Sequence, residues 1–253
     1  MIVLLTAAAL AGEGPYELMT VNVWGLPSPI AEDRAGRLPK VAEWLAAADP
    51  DLVGIQELWR GARAMLAVPG LFTPHLDAGD TGLAMLSRGD ARDVQASMFG
   101  DERGFDALKS KGMLEAMIDL DGRDVHVLVT HLQAGSGDRN AAVRAHQVSE
   151  ILSRLDGEAD PSVVLGDFNL YSGNGIDRAT ERALEAAGLI DAAAVSGDGS
   201  PTYPGTQDRY DRILLRSGSA AAWTVADAHV VHWPDTRLSD HYAVAATVRL
   251  EEP

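Results

Sequence analysis

The chain contains no cysteine. Disulfides, thiolate metal sites and a cysteine nucleophile are therefore excluded, while the compartment stays open. Positive charge is also scarce: 21 Lys and Arg stand against 37 Asp and Glu, a formal net charge of −16. Tight non-specific binding to nucleic acid needs Lys and Arg to neutralise phosphates, and strong adhesion to anionic lipid needs the same. The balance argues against both. No apolar run reaches the length of a membrane-spanning helix. Repeats of solenoid period, low-complexity tracts and linkers are missing too.

What is present is ordinary globular material. Of 253 residues, 46% are hydrophobic and 23% charged, enough for one sizeable core. Residues 2–11 form a short apolar run ending in small residues, "IVLLTAAALA", without a basic stretch before it. Residues 1–12 read as a clipped or misassigned signal peptide, or as a native N-terminal segment. Secretion or a periplasmic location is expected ahead of a cytoplasmic one, with a single domain over 13–253.

Strand-like runs recur from end to end: Glu17 to Val23, Leu52 to Glu57, Gly82 to Ser87, Gly112 to Leu120, Val125 to Leu132, Ser162 to Gly166, Tyr210 to Leu215, Trp223 to Val231 and Tyr242 to Leu250. Helical patterns lie between some of them. "RAGRLPKVAEWLAAADP" puts Leu38, Val41, Trp44 and Leu45 on one face, and "DRNAAVRAHQVSEILSRL" aligns Val148, Ile151, Leu152 and Leu155. "DRATERALEAAGL" aligns Ala179, Ala183, Leu184 and Ala187, with Gly188 as the stop. Asp121-Gly122 between two strand runs signals a hairpin, so neighbouring strands are partly antiparallel. Two packed sheets in one α/β domain is the economical reading.

Chemistry gathers where strands end. Asn22 lies near the end of one run, Gln56 and Glu57 close another, Thr130 and His131 a third, and Asp167 and Asn169 follow a fourth. Asp211 opens a run, and Asp240 and His241 precede the last. A single Asp or Asn at a strand end is ordinarily a turn residue. Six such ends in one chain are another matter, because two packed sheets bring strand ends to a common rim. Glu57, Asp167, Asp240, Asn22 and Asn169 offer hard oxygen ligands, a set suited to Mg2+ or Mn2+. Crowded carboxylates without a cation would raise one another's pKa. His131 and His241 add groups that titrate near neutrality. A cation, a histidine base and an acidic partner make a water-activating site, for which phosphate esters are a common substrate.

The segments "VNVWG", "GIQELW", "VTHLQA", "LGDFNL", "RYDRILL" and "LSDH", in that order over residues 16–250, resemble the endonuclease/exonuclease/phosphatase superfamily with its DNase I-like fold. The resemblance implies an α/β four-layer αββα sandwich of two mixed or antiparallel sheets, with the site on one rim. Within that superfamily the chain most resembles the Mg2+-dependent neutral sphingomyelinases, through "NVWGLP", "RLPKVAEWL", "GLAMLSR", "DALKSKG" and "THLQA". Trp24 stands where nuclease relatives commonly carry an acid. By this resemblance Glu57 is the principal Mg2+ ligand, with Asn22 close to the metal shell and Asp240 near the metal or its waters. His241 is the general base, Asp211 orients an active-site imidazole, and Asp167 aligns the attacking water. Asn169 holds that water or a phosphate oxygen, and His131 hydrogen-bonds the phosphoryl group or protonates the leaving alkoxide. Asp106 and Lys111 look like the Asp and Lys of a family loop that binds substrate or regulates the active site.

The implied reaction is Mg2+-dependent hydrolysis of a choline-type phospholipid, sphingomyelin to ceramide and phosphocholine, at a transient membrane contact and with no protein partner. Arg144 and Gln147 could face the same rim or be surface polars of their helix. Between Arg216 and Asp240 only Trp223 and Trp233 stand out as membrane-dipping candidates; Trp223 reads as core and Trp233 as interfacial. Alternatives are a soluble phosphatase or phosphodiesterase for a small phosphorylated metabolite, a DNase-like endonuclease disfavoured by the charge, and a binding module. The last would be expected to lose one of Glu57, Asp167, Asp240 and His241, and all are present.

Overall fold

A computed structural model of the chain describes residues 14–59, 68, 81–101, 110–233 and 238–252. In chain order the elements are β1 (Tyr16–Asn22), α1 (Arg34–Ala48), β2 (Leu52–Gln56), β3 (Ala84–Ser87), β4 (Ala91–Met98), β5 (Gly112–Leu120), β6 (Arg123–His131), α2 (Asp138–Leu155), β7 (Ser162–Asp167), α3 (Gly175–Ala186), β8 (Ile190–Asp191), α4 (Ala192–Ser196), β9 (Asp211–Arg216), β10 (Ala222–Val231) and β11 (Ala243–Glu251). Every strand run expected from the pattern is a strand. Two strands escaped it. β4 is an edge strand with no fully buried residue, and β8 is two residues long, so neither shows a buried alternation. The apolar run at residues 1–12 lies outside the described residues.

The strands form two sheets, ordered β10-β11-β1-β2-β3 and β4-β5-β6-β7-β9-β8. β1 pairs with β2, and β6 with β7, in parallel; the other pairings are antiparallel, so both sheets are mixed. The Asp121-Gly122 hairpin is real: Leu120 pairs with Arg123, and both turn residues have positive φ, 53° and 89°.

Three apolar clusters mark the three interfaces of a four-layer sandwich. Leu18, Leu52, Val127, Val129, Leu165, Ile213 and Val248 meet between the sheets. Leu38, Val41 and Leu45 of α1 pack on Val21, Val53 and Ile55 of the first sheet. Val148, Ile151 and Leu155 of α2, with Leu184 of α3, pack on Leu128, Val164 and Leu214 of the second. The sheets approach most tightly at Gly54, where a β-carbon would sit 2.5 Å from Leu165 Cβ.

Strand periodicity then explains the rim. Side chains two apart share a face, and Leu18, Leu52, Val129, Leu165 and Ile213 face the other sheet. Continuing each alternation to one end of the sandwich gives Asn22, Gln56, His131, Asp167 and Asp211, all buried. The inner face thus turns from apolar to polar at a single rim.

The helix α3 departs from its expected face. Leu184 is buried as expected, but Ala179 and Ala183 are exposed, and Asp177 and Thr180 are buried in their place. Small alanines bury little area, so a buried ion pair of Asp177 with Arg144 sets the helix rotation.

Candidate active site

Asn22 joins the two sheets at the rim. Its Nδ2 donates to Glu57 Oε1 at 3.4 Å and to Asp167 Oδ2 at 3.1 Å. Its Oδ1 accepts the Trp24 N–H at 3.0 Å, so the amide braces two carboxylates and offers a cation only the remaining lone pair. Trp24, Glu57 and Asn169 all have left-handed backbone, φ 49°, 59° and 49°. Such φ values are uncommon outside glycine, and here they turn the chain just past three strands. The last rim segment is tied on by Ser239, whose hydroxyl donates to the Asn22 carbonyl at 2.6 Å and accepts the His241 N–H at 3.2 Å.

His241 sits between two carboxylates. Its Nδ1 donates to Asp211 Oδ2 at 2.8 Å, and its Nε2 lies 3.7 Å from Asp167 Oδ2. Burial opposes charge on this imidazole, but Asp211, Asp167 and Asp240 overcome it and raise its proton affinity. Asp211 is itself fixed by Thr202, whose hydroxyl accepts the backbone N–H groups of Tyr210 and Asp211. His131 is the opposite case. Burial, with Lys111 close by, pushes its pKa down to about 3, and its Nε2 faces Asp167 Oδ2 at 3.3 Å. A neutral imidazole offers one N–H as a hydrogen-bond donor. Lys111 is fully buried among Glu57, His131 and Asp167.

Asp167, Asp211 and His241 place ligand-type atoms within 4.8 Å of one another. A cation there would have to displace the imidazole from between its two carboxylates, so this trio is better suited to handling protons. Glu57 fits a cation better. Its Oε2 is buried with no hydrogen-bond partner, and burial pushes its pKa up to about 7 despite Lys111. A lone carboxylate oxygen held out of water is costly unless a positive charge meets it. Half-buried Asp240 adds its charge beside Glu57 and His241. This donor set is all oxygen, suited to a hard divalent ion.

Asn169 follows β7 with its N–H bonded to Asp167 Oδ1 at 3.1 Å, while its Nδ2 donates to the Leu132 carbonyl at 3.3 Å. One of its two amide hydrogens remains for a ligand. Asn22, Glu57, Lys111, His131, Asp167, Asn169, Asp211, Asp240 and His241 thus converge; Asp106 lies outside the described residues. Arg144 and Gln147 are neither rim nor surface groups. Both are fully buried. Arg144 forks onto Asp177 at 2.9 and 2.7 Å and donates to the Gln133 and Gly135 carbonyls, while Gln147 accepts the Gln133 N–H at 2.8 Å. Together they hold the loop after His131.

Trp223 is core, as expected. Trp233 is half-buried: its ring packs edge-on against Trp44 at 4.9 Å and its Nε1 donates to the His241 carbonyl at 2.8 Å. An indole that bonds the base's own backbone is a brace. Thr202 and Ser239 were missed as site residues. A single hydroxyl in a loop carries no periodic signal, and only the partners brought by folding reveal it.

The model of the Endonuclease/Exonuclease/phosphatase family matches residues 19–241. A Drosophila melanogaster protein named "Putative neutral sphingomyelinase" is 22% identical over 92% of this chain, which spans 60% of that relative's length. Among solved structures, sphingomyelinase C from Streptomyces griseocarneus superposes with TM-score 0.66 at 22% identity, covering 92% of this chain and 98% of that one. Beta toxin of Staphylococcus aureus (F277A, P278A mutant) with bound magnesium ions gives 0.70 at 18%, covering 92% and 99%. TDP2 of D. rerio, complexed with a single-strand DNA product, gives 0.71 at 20%, covering 92% and 98%. With its rim site and its two mixed sheets, the chain belongs to the Endonuclease/Exonuclease/phosphatase family of enzymes.

Proposed function

We propose that the protein is a Mg2+-dependent phosphodiesterase that cleaves a choline-type phospholipid, sphingomyelin to ceramide and phosphocholine. The observation that carries this is the pairing of an imidazole held by Asp211 with the neighbouring Glu57 carboxylate, whose Oε2 is buried without a hydrogen-bond partner. Glu57, with Asp240 near it, would hold the cation. A divalent ion there supplies positive charge for the phosphoryl oxygens and lowers the proton affinity of its neighbours.

The chain's own groups do the rest. His241 Nε2 takes a proton from water, and Asp211 at Nδ1 fixes the tautomer and stabilises the imidazolium. Asp167, held by Asn22 and the Asn169 N–H, orients that water. The water oxygen bonds to phosphorus as the bond to the leaving alkoxide breaks, and the alkoxide takes a proton from solvent. The free amide hydrogen of Asn169 and the His131 imidazole meet the phosphoryl oxygens, where charge shifts in the transition state. The buried Lys111 offsets part of the carboxylate charge that a phosphate would meet.

A second reading is a soluble phosphodiesterase for a small metabolite. It is favoured by Trp233, which is engaged by Trp44 and by the His241 carbonyl. DNA is disfavoured by the charge of −16. We place the enzyme outside the cytoplasm on the apolar run at residues 2–11, and treat 13–253 as one domain. The test is release of phosphocholine from sphingomyelin vesicles with Mg2+ against an EDTA control. Lysophospholipid, plasmid DNA and nucleotide phosphates run in parallel. No release above the control sinks the lipid assignment, and cleavage of a nucleotide or DNA alone would replace it.

A further inference from the structure

A run of aromatic rings leads away from His241. Tyr203 meets the imidazole edge-on with centroids 4.9 Å apart. Tyr203 and Tyr210 lie 5.9 Å apart, and Tyr210 and Tyr171 5.1 Å. Tyr210 is buried, while Tyr171 and Tyr203 are partly open. The mechanism above uses none of these rings.

The wall has a negative rim. Tyr203 and Asp208 sit at the two ends of one tight loop, closed by the Thr202 N–H on the Asp208 carbonyl at 3.3 Å and by the Thr206 N–H on the Tyr203 carbonyl. The Asp208 carboxylate is fixed by the Ser172 N–H and hydroxyl at 2.8 and 2.6 Å, and by the Tyr210 hydroxyl at 3.4 Å. These donors are all neutral, and Asp208 forms no ion pair among the described residues. Nearby cations are spent elsewhere. Arg209 pairs with Asp191 at 2.8 Å, Arg178 donates to the Ser172 carbonyl, and Arg144, over one face of Tyr171, is neutralised by Asp177. Tyr203 and Asp208 are both partly exposed.

A phenol face and a fixed carboxylate beside the reacting centre suit a weakly hydrated cation. They do not suit a polyanion, which would need Lys and Arg along its track. We propose that Tyr203 and Asp208, backed by Tyr210 and Tyr171, form the subsite for a quaternary ammonium head group of the substrate. This rests on the phosphodiesterase reading and identifies which residues would select a choline ester.

The test compares phosphocholine with 3,3-dimethylbutyl phosphate, its neutral isostere with carbon in place of nitrogen. Both are titrated calorimetrically into the Mg2+-loaded protein. Wild type should bind phosphocholine about tenfold more tightly, the range of a partly desolvated cation–π contact. Asp208→Asn and Tyr203→Leu should each bring the two ligands within about twofold of each other. If Tyr203→Leu fails to fold, Asp208→Asn decides alone. Equal binding in wild type, or a preference that survives Asp208→Asn, overturns the subsite. Hydrolysis of bis(p-nitrophenyl) phosphate is followed separately. Its absence refutes the phosphodiesterase reading without touching the binding preference.

Discussion

Replacing Glu57 by Gln should stabilise the metal-free protein at pH 8 while removing its response to Mg2+. Burial raises the folded pKa of Glu57 from 4.5 to about 7. A carboxyl group so raised favours the protonated form in the fold. The penalty is absent below the unfolded pKa, grows as pH rises from 4.5 to about 7, and is complete above it. At 1.36 kcal/mol per pKa unit, the shift corresponds to about 3 kcal/mol at pH 8. Gln keeps the contact with Asn22 through its Oε1 but leaves a buried amide unpaired where Oε2 was, costing about 1–2 kcal/mol. A net gain of about 1–2 kcal/mol remains, or a few degrees in Tm at about 2–4 °C per kcal/mol. The assay is thermal or urea unfolding in EDTA at pH 5 and pH 8, repeated with Mg2+. Wild type should be stabilised by Mg2+ at pH 8, as any ligand of the native state stabilises it, and much less at pH 5, where Glu57 is protonated. The reasoning fails if Glu57→Gln is no more stable than wild type in EDTA at pH 8. It fails equally if the variant keeps the full Mg2+ response.

Three further outcomes follow from the geometry. Asp211→Asn and His241→Ala should each lower phosphodiesterase turnover by about 10²–10⁴ with circular dichroism unchanged, and a variant within twofold of wild type would refute the proton path. Arg144→Ala should destabilise the fold by about 3–5 kcal/mol, because it strands the Asp177 carboxylate in the core. Urea unfolding measures this, and a loss under 1 kcal/mol would deny the pair its place. Trp233→Ala should cost about 3 kcal/mol and leave vesicle partitioning unaltered; a stable variant with weaker vesicle binding would restore Trp233 as a membrane contact.

Much of the site was legible because its residues sit at strand ends, where a period of two breaks off against Gly, Asp or Asn. Asp167 and Asn169 after "VVLG", and Glu57 after "LVGIQ", show this. The rotation of α3 was illegible for the converse reason: its alanines mimic an apolar face while the buried group is Asp177. Arg144 looked like a surface polar because its partner lies 33 residues away. Thr202 and Ser239 gave no signal because a hydroxyl's task depends on what folds beside it. β4 was hidden by its place at a sheet edge, where little needs to be buried.

Local pattern alone therefore settled nine of the eleven strands among the described residues, that they pair partly antiparallel, and which carboxylates and imidazoles stand at their ends, since alternation and turn chemistry act within a few residues. Tertiary structure decided everything that depends on distance. Close packing of the two sheets put Asn22 between Glu57 and Asp167, set Asp211 against His241 and buried Arg144, because burial and pairing are properties of neighbours that the chain order does not contain.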